Sequence, residues 1–134
     1  MHRARARAER FDVWVARDPS AGGVLLGSVT TRRAGGPSLH EDVRPAELDL
    51  RLLGGSLAAR RRGVAAAIMR RVIAAAGDSG FDAVVLKTAP NMTGAHRLYE
   101  ALGFVRAPER DGLWIDGVRV LDLFTYVYPL RPSP

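Results

Sequence analysis

The order of apolar and polar positions predicts that strands open the chain. Residues 11–17 (FDVWVAR) and 24–31 (VLLGSVTT) are rich in β-branched and aromatic side chains, and the turn-forming DPSAGG lies between them. The two segments are therefore predicted to form an antiparallel hairpin within 11–31. Residues 1–10 have no apolar stripe and are predicted to be a basic tail, frayed or partly helical.

A strand–helix–strand unit follows the polar loop over 32–46. Residues 47–53 (ELDLRLL) alternate strictly, which predicts a strand with one apolar face. Apolar residues then recur at every fourth position, as in a helix that stops near 77–80: Val64, Ile68, Val72 and Ala76. The nearly continuous apolar run 81–89 (FDAVVLKTA) predicts a strand buried on both faces. This order indicates a βαβ unit with two parallel strands.

A second helix and a hairpin are predicted for the rest of the chain. Pro90 precedes the helix, Asn91 is its expected N-cap and Gly103 ends it. The apolar stripe of this helix consists of Ala95, Leu98 and Leu102. Residues 113–128 are predicted to form a C-terminal hairpin around the Asp116–Gly117 turn. All 134 residues are expected to form a single domain, with its core over 47–103.

Composition narrows the class of protein. With 47% hydrophobic and 25% charged residues, the chain has an ordinary globular composition, which argues against disorder. No apolar run approaches the roughly 18 residues that span a bilayer, and no apolar segment follows the basic N-terminus as in a signal peptide, so no membrane partner is expected. The absence of cysteine excludes disulfides, Cys-ligated zinc and a covalent cysteine intermediate, and it fits a cytoplasmic setting.

The net charge of +6 favours anionic partners only weakly. Of the 20 basic residues, 19 are arginine, a bias that we attribute to a GC-rich genome, so nucleic acid is not the expected partner. The one lysine, Lys87, lies within VVLKTA, which excludes the Gly-Lys-Ser/Thr sequence of a P-loop.

The junction between the strand at 47–53 and the following helix suits a phosphate group. Gly54 and Gly55 follow this strand, and Arg60–Arg62 lead into Gly63. A helix N-terminus presents unsatisfied N–H groups, and the small Gly63 and Ala65 allow close approach to the backbone. Neighbouring guanidinium groups add charge-assisted hydrogen bonds. A diphosphate is therefore a chemically sensible occupant.

Two motifs in this order resemble the GNAT family of acetyl-CoA-dependent N-acetyltransferases. Arg60-x-x-Gly63-x-Ala65 fits the family's phosphate loop, Gln/Arg-x-x-Gly-x-Gly/Ala, and Leu98–Phe104 fits its Leu-Tyr-Glu-x-x-Gly-Phe signature. The resemblance covers residues 11–128. It implies the α/β GNAT acyl-CoA N-acyltransferase fold, in which a mostly antiparallel sheet contains a central parallel pair that splays at the CoA site.

The resemblance also implies a site for acetyl-CoA, the co-substrate, and no metal. Residues 53–55 match the bulged end of the family's fourth strand, which binds the pantetheine arm, and 60–65 match the loop that holds the pyrophosphate. Asn91 lies one place before the family's asparagine position, where Met92 stands, and Arg61 replaces a frequent glycine. The implied CoA-binding residues are Leu53, Gly54, Gly55, Arg60, Arg61, Arg62, Gly63, Val64, Ala65, Asn91 and Tyr99.

The implied chemistry is direct attack of a primary amine on acetyl-CoA in a ternary complex. Tyr99 matches the tyrosine that protonates the departing thiolate as a general acid, and the alternative is a core aromatic residue with a satisfied hydroxyl. Asp49 matches an acidic residue that deprotonates the amine, Glu47 on the same face is a second candidate, and water is a third. For either carboxylate, an ion pair with Arg51 is the alternative to a catalytic role. The acceptor is either a small molecule or a protein amine.

The chain departs from the family at its N-terminus, because a strand and two helices usually precede the hairpin. We therefore expect an N-terminally shortened fold whose exposed sheet edge favours a homodimer. An alternative follows: a truncated, catalytically impaired CoA-binding or basic interaction module without transferase activity. Two other hypotheses are weaker. GGSLA (54–58) resembles the Gly-x-Ser-x-Gly nucleophile elbow of a hydrolase but has Ala58 in place of the last glycine. The His40-Glu41-Asp42 cluster is interpreted as a loop surface and not as a metal site.

Overall fold

The structure, a computed structural model, describes residues 2–5, 11–18, 20, 22–53 and 63–131. The strands in this part of the chain are β1 (His2–Arg5), β2 (Phe11–Asp18), β3 (Val24–Arg32), β4 (Glu47–Leu53), β5 (Ala83–Thr88), β6 (Val105–Arg106), β7 (Leu113–Ile115), β8 (Val118–Leu121) and β9 (Phe124–Pro129). The helices are α1 (Val64–Asp78) and α2 (Thr93–Leu102), and a 3-10 turn spans Pro108–Arg110.

The main sheet has the order β1-β2-β3-β4-β5-β9-β6. Its pairs are antiparallel except for β4 and β5, which run parallel and precede and follow α1 in the chain. The predicted hairpin, the βαβ unit and the mostly antiparallel sheet with a central parallel pair are therefore confirmed. β5 is buried on both faces, as its apolar run predicts.

The N-terminal segment corrects the prediction of a tail. Residues His2–Arg5 form β1, which pairs antiparallel with β2 in the register His2↔Val15. The sequence alternates arginine with alanine here, and charged side chains at alternate positions are common on edge strands. The edge of β2, which we expected to be exposed, is therefore covered over this stretch, and the terminal strands of the described sheet are β1 and β6.

The C-terminal segment also differs from the single predicted hairpin. β7 and β8 form a separate two-stranded sheet around the Asp116–Gly117 turn, where both residues have positive φ, 51° and 77°. β9 instead enters the main sheet between β5 and β6. Buried Thr125 and Tyr126 show that both faces of β9 are covered, which a hairpin strand on the surface would not allow.

Both helices pack on one face of the sheet and form the main core with it. α1 buries the stripe Ile68, Met69, Val72 and Ala76. α2 contributes Tyr99, and Gly103 ends it in the left-handed conformation with φ 108°. The sheet residues of this core include Leu48, Leu50, Val84, Leu86 and Tyr126. Among the helices that the structure describes, none has the length and apolar character needed to cross a membrane.

The opposite face of the sheet is covered by the loop 33–46 and by the turn around 108–112. We refer to it as the loop face. Glu47 and Asp49 point here and are buried, with exposed fractions of 6% and 0%. The prediction of one apolar face on 47–53 is thus incomplete, because polar partners from the loop and the turn bury the charged face of β4 as well.

Candidate active site

The parallel pair opens at its carboxyl end. The β4–β5 ladder runs from Glu47↔Ala83 to Leu50↔Leu86 and stops there. β4 nevertheless continues to Leu53, paired with β3, and β5 continues to Thr88, paired with β9. Beyond Leu50, the β5-facing backbone groups of β4 therefore have no ladder partner in the described part of the sheet. An extended ligand can use such groups in the manner of an added strand.

β4 is regular up to Leu53, and the bulge predicted at 53–55 falls mostly outside the described residues. The register with β3 is continuous from Thr31↔Leu50 to Ser28↔Leu53. β4 therefore remains regular on its β3 side while its ladder with β5 ends. Leu53 ends β4 beyond the last β4–β5 pair, whereas Gly54 and Gly55 lie outside the residues that the structure describes.

The start of α1 presents backbone amide groups that no side chain caps among the described residues. Gly63 precedes the helix with φ 68°, a conformation that L side chains rarely adopt, and no side chain caps the helix start. The first turn contains no acidic residue. Val64 and Ala65 are partly exposed there, and among the described residues no side-chain anion in the first turn meets the positive end of the helix dipole. Arg60, Arg61 and Arg62 lie outside the described residues.

Tyr99 lies on the face of the sheet that α1 and α2 cover, close to the end of the β4–β5 ladder. Its ring centroid lies 5.7 Å from that of Tyr126, which pairs with Leu86 in the sheet, and 5.9 Å from that of Phe104. The residue is only 4% exposed. Burial raises the pKa of the Tyr99 hydroxyl above its ordinary value, so this group holds its proton at neutral pH.

Asn91 is not the N-cap that the sequence predicts. It is exposed in the turn before α2, and the cap position is held by Met92. The backbone carbonyl of Met92 accepts the first helical hydrogen bond, from the His96 amide at 3.1 Å, and no side chain caps the helix. The prediction failed because it took the side-chain preference of asparagine as decisive, whereas the turn at Ala89–Met92 sets the helix start.

Glu47 is held in an ion pair on the loop face. Its two carboxylate oxygens accept hydrogen bonds from Arg110 at 2.8 and 2.9 Å, and the Arg44 amide donates a third at 3.0 Å. Burial pushes the pKa of Glu47 up, but these hydrogen bonds outweigh it, and the pKa lies below its ordinary value. Arg51 was the partner considered from the sequence; the structure places Arg110 there.

Asp49 is more deeply buried and less completely paired. Its Oδ2 accepts a hydrogen bond from the His40 amide at 2.8 Å, whereas its Oδ1 has no partner among the described residues. Burial raises the pKa of Asp49 above its ordinary value, against the backbone hydrogen bonds from His40 and Leu39. The structure therefore places Asp49 and Glu47 together on the loop face, and Tyr99 on the opposite face of the same sheet.

Three basic residues that were not candidates from the sequence hold this face together. Arg32 donates to the carbonyls of Arg44 and Glu47, at 3.1 Å each, and to that of Gly36. Lys87 contacts the loop and the turn at once, and Arg110 binds Glu47. The one available signal was the isolated lysine inside the apolar run VVLKTA, because a charge there needs buried partners.

The His40-Glu41-Asp42 segment is not the loop surface that we expected. His40 is 8% exposed, and burial followed by the nearby charge of Lys87 lowers its pKa to about 4. The carboxylate of Glu41 accepts the amides of Asp116 and Gly117 at 2.9 Å each, so it fixes the tip of the β7–β8 hairpin. No group of metal-binding side chains occurs among the residues described.

A comparison with protein families decides where this arrangement belongs. Residues 2–104, more than half of the chain, match the model of the acetyltransferase (GNAT) family. The chain belongs to the GNAT acetyltransferase family. The two motifs on which the resemblance rests, at 60–65 and 98–104, lie within the matched residues.

Relatives of this GNAT protein carry related names. The chain is 32% identical over 117 residues to N-acetyltransferase 8 of Mus musculus, a match that covers 87% of this chain and 48% of the mouse protein. It is 38% identical over 74 residues to N-acetylaspartate synthetase of Danio rerio, covering 55% of this chain and 26% of the fish protein. The chain thus spans about half the length of the mouse relative.

Solved structures show the same GNAT fold. A Bacillus subtilis acetyltransferase in complex with CoA superposes with a TM-score of 0.66 at 16% identity, covering 91% of this chain and 78% of its own. The Salmonella typhimurium protein yncA, solved with its cofactor acetyl-CoA, superposes with a TM-score of 0.67 at 19% identity, covering 92% of this chain and 66% of its own. The ribosomal-protein-S18-alanine N-acetyltransferase of Escherichia coli superposes with a TM-score of 0.66 at 19% identity, covering 96% of this chain and 74% of its own.

Proposed function

We propose that this GNAT protein transfers the acetyl group of acetyl-CoA to a primary amine of a small molecule or a protein. The observation that carries the proposal is the opening between β4 and β5 in a member of this family. Two proteins with this fold were solved with CoA or acetyl-CoA. In the described part of the chain, the β4 groups at the opening have no ladder partner and no side chain caps the start of α1. The strand groups suit a pantetheine arm, and the helix amides suit a diphosphate.

The proposed CoA contacts follow these two features. The backbone of Leu53, continued by Gly54 and Gly55, pairs with the pantetheine arm. The segment Arg60–Ala65 holds the pyrophosphate, with backbone amides from Gly63, Val64 and Ala65 and guanidinium groups from Arg60–Arg62. Asn91, exposed before α2, is proposed only as a contact at the rim of this site.

The proposed reaction is a direct displacement. The amine nitrogen forms a bond to the acetyl carbonyl carbon and loses a proton to a base, the carbon–sulfur bond breaks, and the departing thiolate receives a proton. Tyr99 is the proposed donor, since burial keeps its hydroxyl protonated and it lies close to the strand opening. Asp49 faces the other side of the sheet, so the amine and the proton donor approach from opposite faces.

Asp49 is a better candidate for the base than Glu47. Its Oδ1 has no partner in the described part of the chain, and its raised pKa suits a group that accepts a proton near neutral pH. It lies two residues, or about 7 Å along the strand, before Arg51, the first β4 residue beyond the ladder with β5. Both oxygens of Glu47 are held by Arg110, and its pKa is lowered.

Ligand binding is tested by thermal unfolding with CoA, acetyl-CoA and, as a control, tripolyphosphate. Ligand at 100 times its Kd adds about 2.7 kcal/mol, which at roughly 4 °C per kcal/mol raises Tm by about 10 °C. CoA should raise Tm, and tripolyphosphate should raise it far less. Equal shifts would favour the basic interaction module instead, and no shift with millimolar CoA would contradict the proposal.

Turnover is tested by thiol release with a panel of amines. The panel includes aspartate and peptides with N-terminal alanine, because two related proteins are named for such acceptors. Tyr99→Phe should lower kcat on the order of 100-fold while the Kd for CoA stays within about twofold. Tyr126→Phe is the matched control, since it removes a neighbouring hydroxyl that donates to Glu100. Equal effects of both changes would remove Tyr99 from the mechanism.

A further inference from the structure

Lys87 occupies an exceptional position in a chain that otherwise uses arginine. It is the one lysine among 20 basic residues, and its side chain is 1% exposed. Its Nζ lies 2.7 Å from the Arg110 carbonyl, 2.9 Å from Oγ1 of Thr125 and 3.2 Å from Oδ2 of Asp42. The three acceptors belong to three segments: the turn around 108–112, strand β9 and the loop 33–46.

The chemistry of this position requires an ammonium group. Three acceptors converge on one buried point, and an ammonium offers three donors on a single atom. A guanidinium is planar, longer, and spreads its donors over a fork that suits carboxylates. Arginine therefore cannot satisfy the same three atoms without moving the loop or the turn. Geometry, and not charge alone, therefore favours lysine over arginine at this position.

The position of Lys87 links this geometry to the strand opening. It is the residue after Leu86, which forms the last β4–β5 pair, and its side chain points to the loop face. Through Asp42 it fixes the loop whose His40 amide binds Asp49. Arg110 also holds Asp42 in place, since it donates a hydrogen bond to the Asp42 carbonyl at 3.3 Å.

We propose that Lys87 is a positioning residue for the acceptor amine: by holding Asp42 it fixes the loop 33–46 over Asp49, one residue before the last pair of the β4–β5 ladder. This inference rests on the proposed function. CoA is proposed to bind from the α1 side and at the β4 backbone, so its affinity does not depend on the Lys87–Asp42 contact. Loosening the loop should therefore weaken acceptor binding and leave CoA binding unchanged.

The test compares Lys87→Arg and Asp42→Asn with Arg71→Lys, a conservative change at an exposed position of α1. Asp42→Asn keeps the other two contacts of Lys87, so it remains informative if Lys87→Arg folds poorly. Both variants should raise the KM of the acceptor about tenfold, with the Kd for CoA within about twofold. Arg71→Lys should change neither. Unchanged acceptor KM, with activity lost only in proportion to the unfolded fraction, would overturn the inference.

A second measurement does not depend on activity. Hydrogen exchange of the loop 33–46, followed by mass spectrometry, reports whether the His40 amide stays bound to Asp49. Exchange there should accelerate about tenfold in Lys87→Arg and Asp42→Asn and remain unchanged in Arg71→Lys. Unchanged exchange in the two variants overturns the positioning role even in an active enzyme. Faster exchange in a protein without transferase activity supports the role of the Lys87–Asp42 contact in fixing the loop but contradicts the proposed function.

Discussion

The ion pair between Glu47 and Arg110 should stabilise the fold without taking part in the chemistry. Glu47→Gln leaves the Arg110 guanidinium without a charged partner on a largely buried face, where the Arg110 and Glu47 side chains are 15% and 8% exposed. Breaking one partner of a buried pair costs about 3–5 kcal/mol, and we expect about 3 because Arg110 keeps some access to water. At roughly 4 °C per kcal/mol this lowers Tm by about 12 °C.

The double variant Glu47→Gln/Arg110→Gln removes both charges and should recover most of this loss. We expect it to lie about 1 kcal/mol below wild type, because the side-chain carbonyl introduced at position 47 still accepts the Arg44 amide. The Arg110→Gln single variant completes the cycle and should also cost about 3 kcal/mol, because it leaves Glu47 buried and unpaired; the double variant should therefore be more stable than either single variant. Urea unfolding followed by circular dichroism gives these values, and equal m-values establish that the transitions are comparable.

Activity and pH complete this test. At a temperature where all variants are folded, the double variant should retain kcat at saturating acceptor within about threefold, whereas Asp49→Asn should lose on the order of 100-fold in kcat. Because folding lowers the pKa of Glu47, its carboxylate stabilises the fold at pH values above its unfolded pKa of 4.5. This stabilisation is lost as pH falls through the folded pKa. The difference in unfolding free energy between wild type and the double variant should therefore become smaller at acid pH. A 100-fold loss of turnover in the folded double variant would refute a structural role.

Two further predictions concern burial and backbone strain. The pKa of His40 falls from 6.5 to about 4 in the fold, so stability is lost as pH falls through this range, by about 3 kcal/mol in total. His40→Gln should flatten the decline of unfolding free energy between pH 7 and pH 4.5, and an unchanged slope would contradict the burial of neutral His40. Gly103→Ala should cost about 2–3 kcal/mol, since φ is 108° and the added Cβ meets Tyr128 at 3.1 Å. Gly22→Ala, with positive φ but open space, should cost only about 1 kcal/mol, and equal losses would show that the contact with Tyr128 is unimportant.

Local patterns predicted the elements whose burial depends on their own residues. The stripe from Ile68 to Ala76 and the apolar strand at 83–88 specify their environment by periodicity alone, and they lie where expected. The parallel pair followed from their order along the chain. The motif at Leu98–Phe104 likewise predicted a helix that ends at Gly103.

Contacts between distant segments could not be predicted in this way. The alternation of Glu47 and Asp49 is compatible with a solvent-facing strand surface, and only the partners Arg110 and His40 make that surface buried. These partners lie 63 and 9 residues away along the chain. The strand at His2–Arg5 was missed for a related reason: its alternating arginines carry no apolar signal, and pairing with β2 supplies the stabilisation.

The burial of Lys87 also determines which amines the protein exposes to an acyl donor. A thioester such as acetyl-CoA reacts with unprotonated lysine side chains, and the one lysine of this chain is 1% exposed and ion-paired with Asp42. While the fold is intact, the one lysine side chain of the chain stays shielded from acetyl-CoA, its proposed acyl donor. Amine-reactive reagents should accordingly leave Lys87 unmodified until the loop 33–46 opens, which makes its labelling a chemical measure of that opening.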